Sequence, residues 1–537
     1  MQARIFRTSA LIVALALTAF ILRSMPCQWS SLPYNIDGLS EYRVAEDIID
    51  SGHLTFAPES SHRESYVADM PVLGLLISFA ASTMGTSSLD ATTMTPALLG
   101  AYTVSFALIL SMRAFGNARG AACAGAVLAI AGSFAFASGC AWKESLGLLL
   151  LAMSIYSYLN REEIGFRILT VVCLFMLVFS HHYSALVGLS IISFMAILGS
   201  AKALRDQSLT SVLPRELLTV LPAWVVLILY YRQVDLPYLD YLSPKADLYL
   251  FLAVCFLMLL LGTVLLHKNR SLIGMPIGLV VIAIGCLLMA YNYSHPIFSG
   301  IPAPDSMIAL PSFAYLILGV IAWEGVRHIP TSNSTGRLTA IALIFAPLSF
   351  IVFALLRSLD ETSHMIVFRT FDFLMIGVAM LVGVGFTQLV KGRGRLAIMT
   401  SVSLVIVLSA TLPVAYDSQR LFGVQNHTFD FEYDAVSWFA DNGVESYVSD
   451  QRLGETGWRL FDIEFGRGLP YVMTEGLSLN DTTFYVLEEQ WSTNGAQEFP
   501  FGVVVVPIET IGQTLSENSV VYVGGPTDNN IICFLTG

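Results

Sequence analysis

The sequence predicts an all-α polytopic membrane bundle of about thirteen transmembrane helices, carrying a C-terminal extracytoplasmic α/β domain. Three observations predict it. Hydrophobic residues make up 55% of the chain and charged residues 13%, about half the charged fraction of a soluble domain. Apolar runs of about 17 to 22 residues recur as far as Tyr416, and each is long enough to cross the hydrocarbon core. From Asp417 the pattern changes: eighteen acids stand against four arginines and no lysine, and the apolar runs shorten to strand length.

The first span, 5–23, follows Arg4 and Arg7 and reads as a retained signal anchor, because no small-x-small cleavage site follows near Arg23-Ser24-Met25-Pro26. The loop 24–94 comes next. Asp37, Glu41, Glu46, Asp47, Asp50, Glu59, Glu64 and Asp69 outnumber Arg43 and Arg63 there. Within it, Leu39, Tyr42, Ala45, Ile48 and Ile49 recur at helical spacing between Gly38 and Ser51. That pattern predicts an amphipathic helix on the outer membrane surface, closed by Gly52 in a left-handed cap. The segment Pro71–Gly85 is apolar but short.

Positive charge decides whether that segment crosses. If it stays at the outer interface, every basic loop falls on the cytoplasmic side: Arg113/Arg119, Arg161/Arg167, Lys202/Arg205/Arg215, His267/Lys268/Arg270, Arg327/Arg337 and Lys391/Arg393/Arg395. In a cell membrane the N-terminus is then cytoplasmic and the tail 417–537 extracytoplasmic. The bundle 95–416 holds the other twelve spans, expected at 95–112, 120–139, 144–159, 166–181, 183–199, 214–231, 248–266, 272–291, 307–326, 338–357, 364–388 and 396–415. In the tail, Glu432 to Asp441 reads as helix, and Glu445–Ser449, Gly502–Pro507, Val520–Val523 and Ile531–Leu535 read as strands.

Charge excludes some partners. An acidic tail suits neither nucleic acid nor an anionic inner leaflet. No Cys-x-x-Cys pair or Cys/His spacing suggests zinc. Cys27 and Cys533 are the two cysteines clearly outside spans, and a disulfide could join them. Of four sequons, those at Asn292, Asn426 and Asn480 fall outside on this topology and that at Asn333 inside.

Several charged residues sit where the bilayer makes them expensive or where a turn brings them to the outer face. Asp37 stands just beyond the first span; it either caps the surface helix or serves as a base or metal ligand over a cavity. Glu144, in the turn Cys140-Ala141-Trp142-Lys143-Glu144, lies on the same face and either approaches Asp37 or is solvated beside Lys143. His181 and His182 fill the next outer turn, either stabilising it or facing substrate. Neighbours on a helix point about 100° apart, so one metal rarely takes both. Arg369 lies a turn into its span with Asp372 at i+3. The two form a structural pair, or the guanidinium holds a phosphate. Arg232 and Lys245 are outer-loop cations that either join an anion site or stay solvated.

This layout resembles the GT-C superfamily of membrane glycosyltransferases, which use polyprenyl-phosphate-linked sugars. The resemblance rests on the first span leading to the outer loop with Asp37, and on Met70-Pro71-Val72-Leu73-Gly74-Leu75. It continues through the basic turn Arg113-Ala-Phe-Gly-Asn-Ala-Arg-Gly and Lys143-Glu144-Ser145-Leu146-Gly147-Leu148, and more loosely through Arg369-Thr-Phe-Asp372-Phe373. His181-His182-Tyr183-Ser184 is similar to archaeal membrane proteins grouped with these transferases. The Asp-x-Asp of many members is absent, since Gly38 and Leu39 follow Asp37, and no Trp-Trp-Asp signature occurs in the tail, where Trp491 has no tryptophan beside it. The resemblance implies sugar transfer from a lipid-linked donor on the outer face. Asp37 would act as base and Glu144 would orient the acceptor or hold a divalent cation. Arg369, Lys143 and Arg232 would hold the lipid phosphate, and His181, His182 and Asp372 would line the cavity. A multi-span transporter and a non-catalytic envelope protein are the alternatives; converging charges on one outer cavity would favour the enzyme.

Overall fold

The computed structural model describes residues 2–54, 69–234, 245–267, 275–299, 306–329, 333–391, 394–417, 421, 425–498, 502–527 and 529–536. The membrane part runs α1 (Gln2–Ser24), α2 (Asp37–Ser51), α3 (Val72–Met84), α4 (Ser88–Phe115), α5 (Ala118–Ile130), α6 (Gly132–Gly139), α7 (Lys143–Leu159) and α8 (Ile164–Ser180). It continues with α9 (His182–Arg205), α10 (Leu209–Tyr231), α11 (Lys245–His267), α12 (Met275–Ser294), α13 (Ala309–His328), α14 (Ser334–Arg357), α15 (Glu361–Leu389) and α16 (Gly394–Ser409). Where they are described, the expected spans fall on helices, the last being interrupted by a turn at 410–412. Among the described residues, nine helices are long and apolar enough to cross a membrane, or ten if one bent pair counts as a span. The chain is a multi-pass membrane protein. The count is below thirteen partly because α7 and α8 have only 17 residues each. At 1.5 Å per residue that is about 25 Å, short of a core of about 30 Å.

The bent pair corrects the continuous span expected at 120–139. α5 and α6 meet at Ala131 with a 67° bend. Two groups stabilise the break. The Gly132 N–H donates to Thr411 Oγ1 at 2.8 Å. The buried Arg23 guanidinium donates to the Leu128 carbonyl at 2.9 Å, the Ala129 carbonyl at 3.1 Å and Ser138 Oγ at 2.8 Å. A cation among the last carbonyls of a helix satisfies acceptors that have no intrahelical partner.

The outer loop also differs from expectation. α2 forms, with Gly52 at φ 71° and its N–H on the Ile48 carbonyl. Its buried face, however, is Gly38, Glu41, Val44 and Ala45 with Leu39, while Ile49 is exposed. The helix is packed between the bundle and the tail and does not lie with its apolar stripe on the membrane surface. α3 packs on α2 and α4 and exposes Leu75 and Phe79 on its far side, as a short helix at the interface would.

The tail folds around one mixed sheet. Its strands are β1 (Ser446–Val448), β2 (Glu464–Gly466), β3 (Phe484–Glu488), β6 (Ser519–Gly524) and β7 (Ile531–Leu535), with β4 (Ala496–Glu498) and β5 (Gly502–Val504) in a separate hairpin. The order is β2-β1-β3-β7-β6, parallel at β2/β1 and β1/β3 and antiparallel at β3/β7 and β7/β6. α17 (Asp430–Asp441), α18 (Gln451–Phe461), α19 (Leu469–Glu475) and α20 (Ile508–Glu517) complete it. The core holds Phe439, Tyr447, Val486, Trp491 and Phe534. Not all the acids are on the surface. Glu432 and Glu488 are buried and each binds Arg452 at 2.5 Å, as buried charge requires. Cys533 is enclosed in β7 and Cys27 packs on Thr93 and Met94, so both are free thiols and the disulfide does not form.

Tail and loop are joined closely. Ser31 donates to Asp430 at 2.7 Å through its hydroxyl, and the Tyr34 hydroxyl donates to the Ala415 carbonyl at 2.5 Å. His427 packs among the rings of Trp29, Tyr34 and Phe429, edge-on to the last. Burial, and then the Arg452 charge, lower its pKa from 6.5 to about 4. Unfolding therefore takes up a proton between those values. The stability this neutral ring supplies is complete above pH 6.5 and falls as pH drops toward 4, by up to about 1.4 kcal/mol per unit. We expect the thermal midpoint of the detergent-solubilised protein to drop between pH 7 and pH 5, and His427→Phe to drop less. Equal drops in both would remove this assignment.

Candidate active site

The site is built where four chain segments meet at one end of the bundle. Asn35, at φ 91°, accepts the Asp37 N–H on its Oδ1 at 2.9 Å. Asp37 therefore does not cap α2; its carboxylate is half exposed and accepts from Arg459 Nη1 at 3.2 Å. The next residue, Gly38, lies so close to Ala141 that a side chain there would meet the Ala141 Cβ at 2.6 Å. The Ala141 N–H also donates to the Tyr34 carbonyl at 3.1 Å. The first turn of α2 is thus seated on the turn that carries Glu144.

That seat is fixed by charge. Lys143 Nζ donates to Glu41 Oε1 at 2.5 Å, and both side chains are buried. Burial raises the Glu41 pKa overall, although Lys143 opposes the shift. Glu144, in the first turn of α7, is 2% exposed. Among the described residues neither of its carboxylate oxygens has a hydrogen-bond partner. It lies within electrostatic range of Arg369 and of Asp37. A carboxyl buried without partners is costly.

α9 crosses α7 where Gly147 faces Ser184 with no room for a side chain. His181 caps α9: its Nδ1 is 2.8 Å from Ser184 Oγ, and its Nε2 is 3.4 Å from Arg369 Nη1. His182 packs edge-on against it with ring centroids 4.9 Å apart. Tyr183 binds the Ile366 carbonyl and Thr370 on α15, which holds Arg369 opposite the turn. The Arg369 guanidinium lies over the Trp142 ring, 5.9 Å from its centroid. Asp372, buried at 3% exposure, is in electrostatic range of both Glu144 and Arg369.

Asp37, Lys143, Glu144, His181, His182, Arg369 and Asp372 are therefore brought together. Arg232 and Lys245 are not: both are exposed, at the end of α10 and the start of α11, and no described contact joins them to the cluster. Three further members of the cluster left little sign in the sequence. Glu41 looked like one solvated acid of many, although its spacing with Gly38 and Val44 marks a buried face. Trp142 and Arg459 have no sequence signal beyond residue type. Among the described residues no three His, Cys, Asp or Glu side chains are grouped as metal ligands.

The fold is GT-C-like. Among solved structures, the archaeal oligosaccharyltransferase AglB from Archaeoglobus fulgidus, in complex with an inhibitory peptide and a dolichol-phosphate, aligns with a TM-score of 0.53. The match covers 91% of this chain and 70% of that one at 15% identity. An Archaeoglobus fulgidus oligosaccharyltransferase tethered with an acceptor peptide containing the NVT sequon gives a TM-score of 0.51, with the same 91% and 70% coverage and 15% identity. Its apo form gives 0.50 at 14% identity, over 90% and 70% of the two chains. At such identities the likeness is one of fold. No protein-family model and no curated protein matches the chain.

Breaking the Glu41–Lys143 pair from one side strands the other charge. Lys143→Met should destabilise by about 3–5 kcal/mol, and the double replacement Glu41→Leu with Lys143→Met should recover most of it. Thermal unfolding of the three proteins in one detergent measures this, and an unaltered midpoint for Lys143→Met would sink it.

Proposed function

We propose that the chain is a glycosyltransferase that moves a sugar from a polyprenyl-phosphate carrier to an acceptor on the outer face of the membrane. The observation that carries the reading is the grouping around one turn: a half-exposed carboxylate, Asp37, a buried and unpartnered carboxyl, Glu144, and a guanidinium in the bundle, Arg369. The fold shared with AglB supports it. On the topology set by the basic loops, this end of the bundle is extracytoplasmic.

In the proposed reaction Asp37 takes the proton from an acceptor hydroxyl. The hydroxyl oxygen bonds to the anomeric carbon as the bond from that carbon to the phosphate oxygen breaks. The electron pair leaves with the lipid phosphate. Arg369 faces the charge that develops there, and a fixed guanidinium fork suits a phosphate. His181, with one nitrogen toward Ser184 and the other toward Arg369, keeps that fork oriented. Glu144 accepts from hydroxyls of the incoming sugar or acceptor. Lys143 is bound to Glu41 and serves chiefly to seat the loop.

Asp37→Asn and Arg369→Met should each lower transfer from a labelled polyprenyl-phosphate sugar in purified membranes by at least about 100-fold, the scale of losing a base or a charge-stabilising donor. The protein level and melting behaviour should stay near those of the wild type. Transfer undiminished in either variant would overturn the roles, and a wild-type chain inert toward every such donor would overturn the reading.

A further inference from the structure

The acidic tail reaches into the cluster at one place. α18 lies along α2, and two ion pairs of opposite sense cross between them. Arg43 of α2 donates to Asp462 at 3.0 Å, and Arg459 of α18 donates to Asp37 at 3.2 Å. The two arginines are not equivalent. Arg43 is a quarter exposed and its partner more so. Arg459 is 7% exposed and is fixed from two directions. Its Nη2 donates to the buried Glu455 at 2.7 Å, one turn back on α18, and its Nη1 donates to the Ile36 carbonyl at 3.1 Å as well as to Asp37 Oδ1. Glu455 in turn accepts from Gln451 at 2.8 Å and from Arg467 at 3.3 Å.

We propose that Arg459 is a positioning residue for Asp37, contributed by the tail, which fixes one oxygen of that carboxylate and leaves the other to face the acceptor. The inference rests on the glycosyltransferase reading above. A planar fork anchored on Glu455 is a rigid ruler. Its contact with the Ile36 carbonyl registers it against the same turn that carries Asp37. A carboxylate free to rotate about its own bonds would spend little time aimed at a hydroxyl, and misplacement of about 1 Å can cost up to about 100-fold in rate. The tail thereby becomes part of the reaction centre without touching substrate.

The test compares Arg459→Gln, Arg459→Lys and Arg43→Gln in the full chain. Arg43→Gln breaks the neighbouring pair on the same seam without touching Asp37. Expected are a kcat lowered roughly tenfold or more in Arg459→Gln, with KM for the lipid-linked donor within about twofold, partial recovery in Arg459→Lys, and wild-type kcat in Arg43→Gln. A second readout needs no turnover: labelling of Asp37 by a water-soluble carbodiimide and an amine nucleophile, followed by peptide mapping, should speed up in Arg459→Gln and not in Arg43→Gln. Wild-type kcat in Arg459→Gln, an equal loss in Arg43→Gln, or unaltered labelling would each overturn the proposal. A wild-type chain that transfers no sugar defeats the glycosyltransferase reading instead, and the labelling arm then still decides whether Arg459 holds Asp37.

Discussion

One buried ion pair decides where the first loop sits. Lys143 begins α7 and Glu41 is a turn into α2, and their 2.5 Å contact lies beneath the seat of Gly38 on Ala141. Everything assigned to the site depends on that seat. Without it Asp37 has no fixed relation to Glu144, and α18 has no α2 to rest on. The pair is in a place where charge is expensive, and burial raises Glu41 even beside a lysine. A well-packed apolar pair would hold two helices together as firmly. What an ion pair adds is register, because a sliding contact between apolar faces tolerates shifts that a 2.5 Å bond does not.

The bundle supports this seat through helix breaks. Had α5 and α6 been one straight span, the turn after Gly139 would stand elsewhere and the Glu144 turn with it. The 67° bend is held by Arg23 from the first helix and by Thr411 from the approach to the tail. Arg23, another charged group buried in the bundle, thus has a structural task. Arg369 differs in facing histidine and tryptophan, and two carboxylates lie in its field.

Much of this was legible from residue type and position. Charges in apolar spans had to face protein or water, which picked out Arg369 and Asp372, and short outer turns picked out Glu144 and the histidines. The thirteen segments were legible because a 20-residue apolar run has few other uses. The bend was hidden, since Ile130-Ala131-Gly132 holds no proline and both halves are apolar. β3 was hidden for a different reason: Phe484-Tyr-Val-Leu-Glu488 ends on an acid that reads as exposed, and only the fold reveals that Arg452 receives it. Arg459 was beyond reach of any local pattern, for the same cause. Its meaning comes from a partner on another element, and an arginine among eighteen acids looks merely solvated.

The contacts between loop and tail also set a timetable. Tyr34 meets Ala415 across 381 residues, Ser31 meets Asp430 across 399, and Arg459 meets Asp37 across 422. A ribosome delivers the carboxylate 422 residues before its holder. Until α18 emerges, the growing chain has a threaded bundle and an unfinished centre. Emergence of α18 is thereby the step that completes this contact, and a chain ended before it would occupy the membrane with Asp37 unheld by Arg459.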